Sequence, residues 1–300
     1  MRTLQFSDGR GATLELEELD GVLYPRYHDH LEQQLQQIRK LHVRDSDVIL
    51  CTYPKAGTHW LWEVITMLVN HISKFSNDLK QSAMLENTDL DLVNSQPSPR
   101  VLNTHLLPGA LPDMTWLSQC RLVVCHRNPK DTVVSLYNMA RQVSYKQIRS
   151  AFEGTFEGYA SLFLDGKMPH GSWFDYVRAW EQVRRRPPAD RIYVGSYESM
   201  SRDTVGEVRH LADFLGTGTS ESLCEDIARA CSFQNMKQAT KHQKGAANPE
   251  IWKPDATGIF RKGKVGDWKD WMTGMELSEA FDRATLTRLS DLDLKFTYEL

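Results

Sequence analysis

The fold of this chain is decided by the stretch Asp47-Val-Ile-Leu-Cys-Thr-Tyr-Pro-Lys-Ala-Gly-Thr-His-Trp60. Its apolar run at 48–50 is rich in β-branched residues, which predicts a buried strand. A proline and a glycine within 53–57 interrupt that pattern. Apolar residues then recur at helical spacing over 60–69, behind the N-cap-type side chain of Thr58. The stretch therefore predicts a strand, a tight turn and a helix in that order.

This order of elements is suited to binding a phosphate group. The start of a helix offers unpaired N–H groups and the positive end of the helix dipole, and Lys55 adds a mobile positive charge. The lysine precedes the glycine and only one glycine is present, so the loop is not a P-loop of the Gly-x4-Gly-Lys-Ser/Thr kind. An ordinary strand–helix turn with a surface lysine would share the pattern, so other segments must decide between the two interpretations.

The composition is that of a globular protein with a substantial core. The 300 residues are 41% hydrophobic and 25% charged, and the net charge of −3 argues against nucleic-acid or membrane-surface binding. No window reaches the ~18 apolar residues of a membrane span, and residues 1–20 lack a signal-peptide-like apolar stretch. Five cysteines without a C-x-x-C pair favour reduced thiols. We therefore expect a cytoplasmic protein with no nucleic-acid or membrane partner.

Strand and helix patterns alternate along the rest of the chain. Further strands are predicted at 100–106, 121–125 and 191–197. Helices are predicted at 30–41, 129–140, 172–185, 203–215, 220–230 and 277–289. The first 40 residues indicate a peripheral lead-in, 142–166 is weakly periodic, and 238–258 is predicted to be a long loop. Without repeats or a linker, this alternation predicts one α/β domain over 1–300, in which helices flank a central, mainly parallel sheet.

Polar or charged residues follow the predicted strands. Lys55, His105, Arg127 and Tyr197 come at or just after the ends of four strands. Because the carboxyl ends of parallel strands meet at one edge of a sheet, where ligands bind, we expect these four side chains to share one cleft.

Three motifs resemble those of cytosolic sulfotransferases, which use 3′-phosphoadenosine 5′-phosphosulfate (PAPS) as sulfonate donor. They are Tyr-Pro-Lys-x-Gly-Thr-x-Trp at 53–60, Arg-Asn-Pro-Lys-Asp-x4-Ser at 127–135 and Arg-Lys-Gly-x-x-Gly-Asp-Trp-Lys at 261–269. The last motif matches at every fixed position. The resemblance runs from about residue 43 to the end of the chain. It implies the sulfotransferase fold, with 53–60 as a P-loop-like phosphosulfate loop.

The resemblance also implies residues for each end of the donor. Those expected around the 5′-phosphosulfate and the adenine are Lys55, Ala56, Gly57, Thr58, His59 and Trp60. Those expected around the 3′-phosphate are Arg127, Ser135, Arg261, Lys262 and Gly263, and further donor-site candidates are Tyr197, Ser232 and Phe260. Arginine pairs with phosphate through two N–H donors and serine adds a hydroxyl, so the residue types suit the ligand.

Thr104-His105-Leu106 resembles the segment that carries the family's catalytic histidine. Transfer of sulfonate to a hydroxyl, phenol or amine of a small-molecule acceptor requires a base, and histidine titrates near neutrality. Lys55 would neutralise charge on the leaving phosphate as adenosine 3′,5′-bisphosphate (PAP) forms. No metal is expected, because positive side chains would do the work of the magnesium in kinases. A lone histidine after a strand is more often structural, but three neighbouring donor motifs favour the catalytic role.

The chain departs from the family pattern at three positions near this site. Ala56 stands where serine is usual, His59 where threonine is usual, and Asn103 where many members carry a lysine before Thr-His. These departures keep a second hypothesis open, namely a PAPS- or PAP-binding relative that no longer transfers sulfonate. A P-loop nucleotide kinase is a third, disfavoured by the missing Gly-Lys-Ser/Thr.

Two further predictions concern partners. The dimer signature Lys-x3-Thr-Val-x3-Glu is half matched at 269–278, which leaves a homodimer through this segment open. The acceptor pocket is expected to be built by the loops at 21–27, 84–93, 145–156 and 241–252. The aromatic content of these loops indicates an apolar, ring-bearing acceptor.

Overall fold

The structure is a computed structural model that describes residues 1–25, 30–75, 80–112, 120–143, 151–186, 189–242, 252–253, 256 and 258–300. Its strands are β1 (Arg2–Ser7), β2 (Thr13–Leu19), β3 (Val22–Tyr24), β4 (Val48–Thr52), β5 (Val101–Thr104), β6 (Arg121–His126) and β7 (Ile192–Ser196). Its helices are α1 (Leu31–Ile38), α2 (Thr58–Asn70), α3 (Leu90–Ser95), α4 (Pro129–Ala140), α5 (Phe156–Leu164), α6 (Trp173–Arg184), α7 (Tyr197–Arg202), α8 (Thr204–Leu215), α9 (Glu221–Ala230), α10 (Phe233–His242) and α11 (Met275–Leu289).

The central sheet is parallel, in the order β5-β4-β6-β7. Every residue of β4 is buried, which explains why its sequence is a continuous apolar run instead of an alternating one. Successive residues of β4 face two different cores: Ile49 and Cys51 pack in one, and Val48 and Leu50 in the other. Residues of α2, α8 and α9 fill the second core, and residues of α4, α5, α6 and α11 belong to the first. The predicted α/β fold with a parallel sheet is confirmed.

The first 40 residues are not merely a lead-in. β1, β2 and β3 form a three-stranded antiparallel sheet, and Leu14 and Leu16 of β2 are fully buried against the first core. The strand pattern was present as the alternation of apolar and charged residues over 13–17. The charged residues of this segment do not mark it as buried, although Glu17 is buried as well as Leu14 and Leu16.

The other differences lie at element ends and in loops. Thr58 does not cap α2, because Gly57 occupies the N-cap and Thr58 is the first helical residue. Its hydroxyl oxygen lies instead 2.7 Å from that of Thr52, which fixes the turn to the end of β4. The weakly periodic segment 142–166 contains α5, and α10 extends into the predicted loop 238–258. In both segments tertiary packing stabilises a helix that local periodicity signals only weakly.

Candidate active site

The ends of the four parallel strands open into a cavity of about 980 Å³. Lys55, His105, Arg127 and Tyr197 all line it, as their positions after β4, β5, β6 and β7 predicted. The predicted donor residues that line it with them are Gly57, Thr58, His59, Trp60, Ser135, Ser232, Phe260, Arg261, Lys262 and Gly263. Ala56 does not line the cavity: its methyl is buried, and its N–H donates to the carbonyl of Tyr53.

The turn between β4 and α2 lies at this cavity, which Lys55 and Gly57 line. Lys55 has φ 71° and Gly57 φ 98°, so the loop turns through left-handed conformations before the helix begins. A Cβ at Gly57 would lie 3.0 Å from the Tyr197 ring, so the position requires glycine on two grounds. No side chain caps α2, which leaves the first N–H groups of the helix available to an anion.

Lys55 is a cation held among other cations. Its Nζ lies 3.4 Å from the carbonyl oxygen of Ile259, across the cavity from β4. Burial, together with the charges of Arg127, Lys80 and Arg261, lowers the pKa of Lys55 to about 7. A bound anion would offset this repulsion and favour the charged ammonium, so the electrostatics of the loop suit a phosphate.

Arg127 is positioned by backbone and ring contacts that leave part of its guanidinium unused. Its Nη1 donates to the carbonyl of Lys55 at 3.1 Å, and its carbon Cζ lies 4.1 Å from the centre of the Tyr197 ring. Its Nε is buried and has no hydrogen-bond partner among the described residues; the same holds for Nε1 of Trp60. A buried N–H group without a hydrogen-bond partner is costly. Arg127 and Trp60, both predicted to bind PAPS, therefore each carry an N–H group that a ligand could satisfy.

The basic segment 261–263 is held by Asp267. Arg261 and Lys262 both form ion pairs with its carboxylate, with Lys262 Nζ 2.5 Å from Oδ1. Although burial acts in the opposite direction, these two cations lower the pKa of Asp267. The carboxylate thus orients both positive side chains at the edge of the cavity.

Gly263 packs so tightly that any larger residue should disturb the segment. Its φ is 62°, and an added Cβ would lie 2.1 Å from the Phe233 ring. We expect Gly263→Ala to weaken PAP binding about tenfold, because a left-handed alanine costs ~1–2 kcal/mol and must also displace Phe233. Isothermal titration calorimetry measures the effect. Gly109→Ala is the matched control, since Gly109 has no positive φ and open space around its Cα. Equal PAP affinity in both variants would contradict this prediction.

His105 is fixed in one tautomer. Its Nδ1 lies 2.7 Å from the carbonyl oxygen of Thr52, which can only accept, so Nδ1 carries the proton and Nε2 of the neutral ring is an acceptor. The backbone N–H of His105 donates to Glu86 at 2.7 Å. Burial, followed by the positive charge of Lys80, lowers the pKa of His105 well below its usual value. The imidazole is therefore neutral near pH 7 and can take a proton at Nε2.

The structure adds cavity residues that the sequence did not single out. The polar ones include Lys80 and His170, and the apolar ones include Met139, Tyr159 and Pro169. No motif marked them, because they come from several separate segments. The nearest sequence signal for His170 is the segment Gly171-Ser-Trp173 that directly follows it and resembles a segment of the same family.

The predicted acceptor loops are partly covered by the structure. Pro25 of 21–27, Met84 and Asn87 of 84–93, and Trp252 of 241–252 line the cavity. Residues 26–27, 145–150 and 243–251 lie outside the described residues. Within the described part of the chain, no group of three or more His, Cys, Asp or Glu side chains is arranged to hold a metal ion. No helix of that part is long and apolar enough to cross a membrane.

Comparison with known proteins agrees with this geometry. Residues 45–293 match the family model described as "Sulfotransferase domain". The chain is 30% identical to human sulfotransferase 1C2, covering 97% of this chain and 98% of that protein. It is 31% identical to mouse sulfotransferase 1E1 over 94% of this chain and 96% of that one.

A solved structure resembles the fold as well. It is that of mouse sulfotransferase SULT7A1 complexed with PAP, with a TM-score of 0.73, 28% identity and coverage of 93% of this chain and 95% of that one. The family match extends over all three motifs that carried the resemblance, and relatives align along nearly the whole chain. The chain therefore belongs to the family of PAPS-dependent sulfotransferases.

Proposed function

We propose that the protein transfers the sulfonate group of PAPS to a hydroxyl or phenol of an apolar small molecule, with His105 as general base. The observation that carries the proposal is the position of His105 in one cavity with Lys55, Arg127 and Arg261. Its Nδ1–H is committed to Thr52, so Nε2 is the ring atom that can take the acceptor's proton.

The cavity residues suit PAPS, which carries a phosphosulfate at its 5′ position and a phosphate at its 3′ position. On the 5′ side, the α2 N–H groups and Lys55 provide hydrogen bonds and charge. On the 3′ side, the unpaired Nε of Arg127, the hydroxyl of Ser135 and the basic segment 261–263 serve the same purpose. Support also comes from the similar mouse sulfotransferase, whose solved structure is a complex with PAP.

Bound PAPS supplies an activated sulfonate, whose S–O bond to the 5′-phosphate breaks as the acceptor oxygen forms a new S–O bond and PAP leaves. In this proposal His105 Nε2 takes the proton from the acceptor hydroxyl. The Thr52 carbonyl holds the resulting imidazolium through Nδ1–H. Lys55 and the α2 N–H groups stabilise negative charge on the leaving phosphate, which lowers the barrier where charge develops.

The lining of the cavity narrows the acceptor. Met84, Met139, Tyr159 and Trp252 provide apolar and aromatic surface. None of the described lining residues is Asp or Glu, whereas several are lysine or arginine. A protonated amine would find no carboxylate here and would be repelled, so a neutral or acidic hydroxyl compound is favoured over a cationic amine.

We further propose one domain and a cytoplasmic location. Two hydrophobic cores share the strands of one parallel sheet, which supports a single unit over 1–300. The cysteines Cys51, Cys120, Cys125, Cys224 and Cys231 are all buried and free, which is typical of a reducing compartment. The homodimer through 269–278 stays a prediction that the oligomeric state in solution would test.

Thermal unfolding with PAP and with ATP–magnesium tests the donor site. At 100 times its dissociation constant a ligand stabilises the fold by ~2.7 kcal/mol, so PAP should raise the midpoint by about 5 °C. ATP–magnesium should produce little shift, because the loop lacks the Gly-Lys-Ser/Thr of a kinase. A shift with ATP alone would favour the kinase, and no shift with either would contradict the donor site. PAP binding without turnover across a panel of phenols and alcohols would favour the non-transferring relative.

A further inference from the structure

Lys80 lies in the cavity although no motif predicted it. It lies just ahead of the segment that carries Met84 and Glu86, and its exposed fraction is only 6%. Its Nζ lies 3.9 Å from the sulfur of Met84, a weak acceptor. The nearby carboxylate of Glu86 already accepts from the N–H of His105 at 2.7 Å and from the hydroxyl of Thr104 at 2.9 Å. Within the described part of the chain this buried ammonium forms no ion pair, and the charge of Glu86 only partly offsets its burial, so it is suited to meeting an anion in the cavity.

The backbone of Lys80 is tied to the strand that ends at His105. The amide nitrogen of Asn103 donates to the carbonyl of Lys80 at 3.0 Å, and Asn103 also forms a parallel bridge with Met84. Asn103 is fully buried and lies two residues before His105. This contact fixes the segment that starts at Lys80 relative to the proposed base.

The charge of Lys80 affects titratable groups that line the same cavity. Its charge contributes to the lowered pKa of Lys55 and His59 on the donor side. It also contributes to the lowered pKa of His105 and His170 on the acceptor side. Burial lowers the pKa of Lys80 itself, and Glu86 opposes this effect. All four groups line the same cavity as Lys80, so its charge acts on each of them there.

We propose that the Lys80 ammonium binds the sulfonate oxygens of PAPS and stays with that group during its transfer to the acceptor. The inference rests on the proposed function. In the proposed function the α2 N–H groups and Lys55 bind the 5′-phosphate. The Lys80 ammonium lies beside Met84 in the cavity that also holds His105 and His170, and it is free to serve the sulfonate. The Asn103 amide, which donates to the Lys80 carbonyl, holds the lysine in this position.

The test compares two ligands that differ only in the sulfonate. Dissociation constants of PAP and PAPS are measured by calorimetry, without acceptor, for the unaltered protein, Lys80→Met and Lys80→Arg. We expect Lys80→Met to weaken PAPS binding about tenfold relative to PAP binding, the scale of a charge-assisted hydrogen bond. Lys80→Arg keeps the charge, so its PAPS affinity relative to PAP should be close to that of the unaltered protein. Lys80→Gln provides the same comparison if the methionine variant fails to fold.

The outcomes separate the two proposals. If the unaltered protein binds neither PAP nor PAPS, the proposed function itself fails. If it binds both, and the ratio of the two constants is the same in Lys80→Met, Lys80 does not contact the sulfonate. Equal weakening of both ligands would likewise overturn the inference, because it would assign Lys80 to a phosphate.

Discussion

Replacing His105 with alanine should lower kcat by about 10²–10⁴-fold while PAP affinity stays unchanged, the range of loss expected for a positioned general base. The expectation follows from the tautomer: Nδ1–H donates to Thr52, and Nε2 is the atom left to take a proton. Steady-state kinetics with PAPS and a phenol that the unaltered protein sulfonates measure kcat, and calorimetry measures PAP binding.

A matched control separates catalysis from a general effect of losing a histidine. The side chain of His210 is 68% exposed and pairs only loosely with Glu207, at 4.0 Å. His210→Ala should therefore retain full turnover. If His105→Ala retained turnover, or if it lost PAP affinity in proportion to its activity, His105 would not be the base.

The pH dependence of turnover provides a second test of the same assignment. Burial and the charges of Lys80 and His170 lower the pKa of His105 well below 6.5, so the proton-accepting neutral ring persists into acid. The acid limb of kcat/KM, which reports the free enzyme, should therefore fall well below pH 6.5. An acid limb centred near 6.5 would indicate a solvent-exposed histidine, contrary to the position of His105.

The residues at strand ends could be predicted from the sequence because one physical rule connects them. Continuous apolar runs identify buried parallel strands, and their carboxyl ends must meet at one edge. From this rule the sequence predicts that Lys55, His105 and Arg127 share one cleft, and in the structure all three line one cavity. The prediction does not depend on the order of the strands, because all parallel strands of one sheet end at the same edge.

Other features depend on contacts that no local pattern encodes. Lys80 lies in the cavity, and its backbone is held there by Asn103, 23 positions further along the chain, whose side-chain amide donates to the Lys80 carbonyl. Ala56 belongs to the predicted loop motif, yet its side chain is buried away from the cavity. Thr58 was assigned to the N-cap by residue type, whereas the left-handed turn places Gly57 there. In each case the deciding contact is tertiary or conformational.

Replacing Lys55 with methionine should lower turnover by about 10²–10³-fold, as expected when a charge-stabilising donor is removed from a developing anion. It should also remove a pH dependence of PAP binding. The pKa of free Lys55 is lowered to about 7, and a bound phosphate favours the charged ammonium. As pH rises above 7 the free lysine must first gain a proton, so PAP affinity should fall by up to about tenfold per pH unit.

Three variants separate charge from shape in this prediction. Lys55→Arg stays protonated at every accessible pH, so its PAP affinity should be independent of pH between about 7 and 9. Lys55→Met should bind PAP weakly, and its affinity should also be independent of pH. Lys167→Met is the control, since Lys167 pairs with Asp165 and does not line the cavity; it should keep the original slope. If Lys55→Met kept that slope too, another group would carry the titration.

Stability should change in the opposite direction to function. Because the pKa of Lys55 is depressed from 10.5 to about 7 in the fold, the unfolded chain binds more protons between these values. Stability from this group is therefore present above its unfolded pKa and is lost as pH falls towards 7. Lys55→Met should accordingly raise the unfolding midpoint of the ligand-free protein at pH 7, measured by calorimetry, while it abolishes most of the turnover. A lowered midpoint would mean that Lys55 is a packing residue, and the loss of turnover could then not be assigned to its charge.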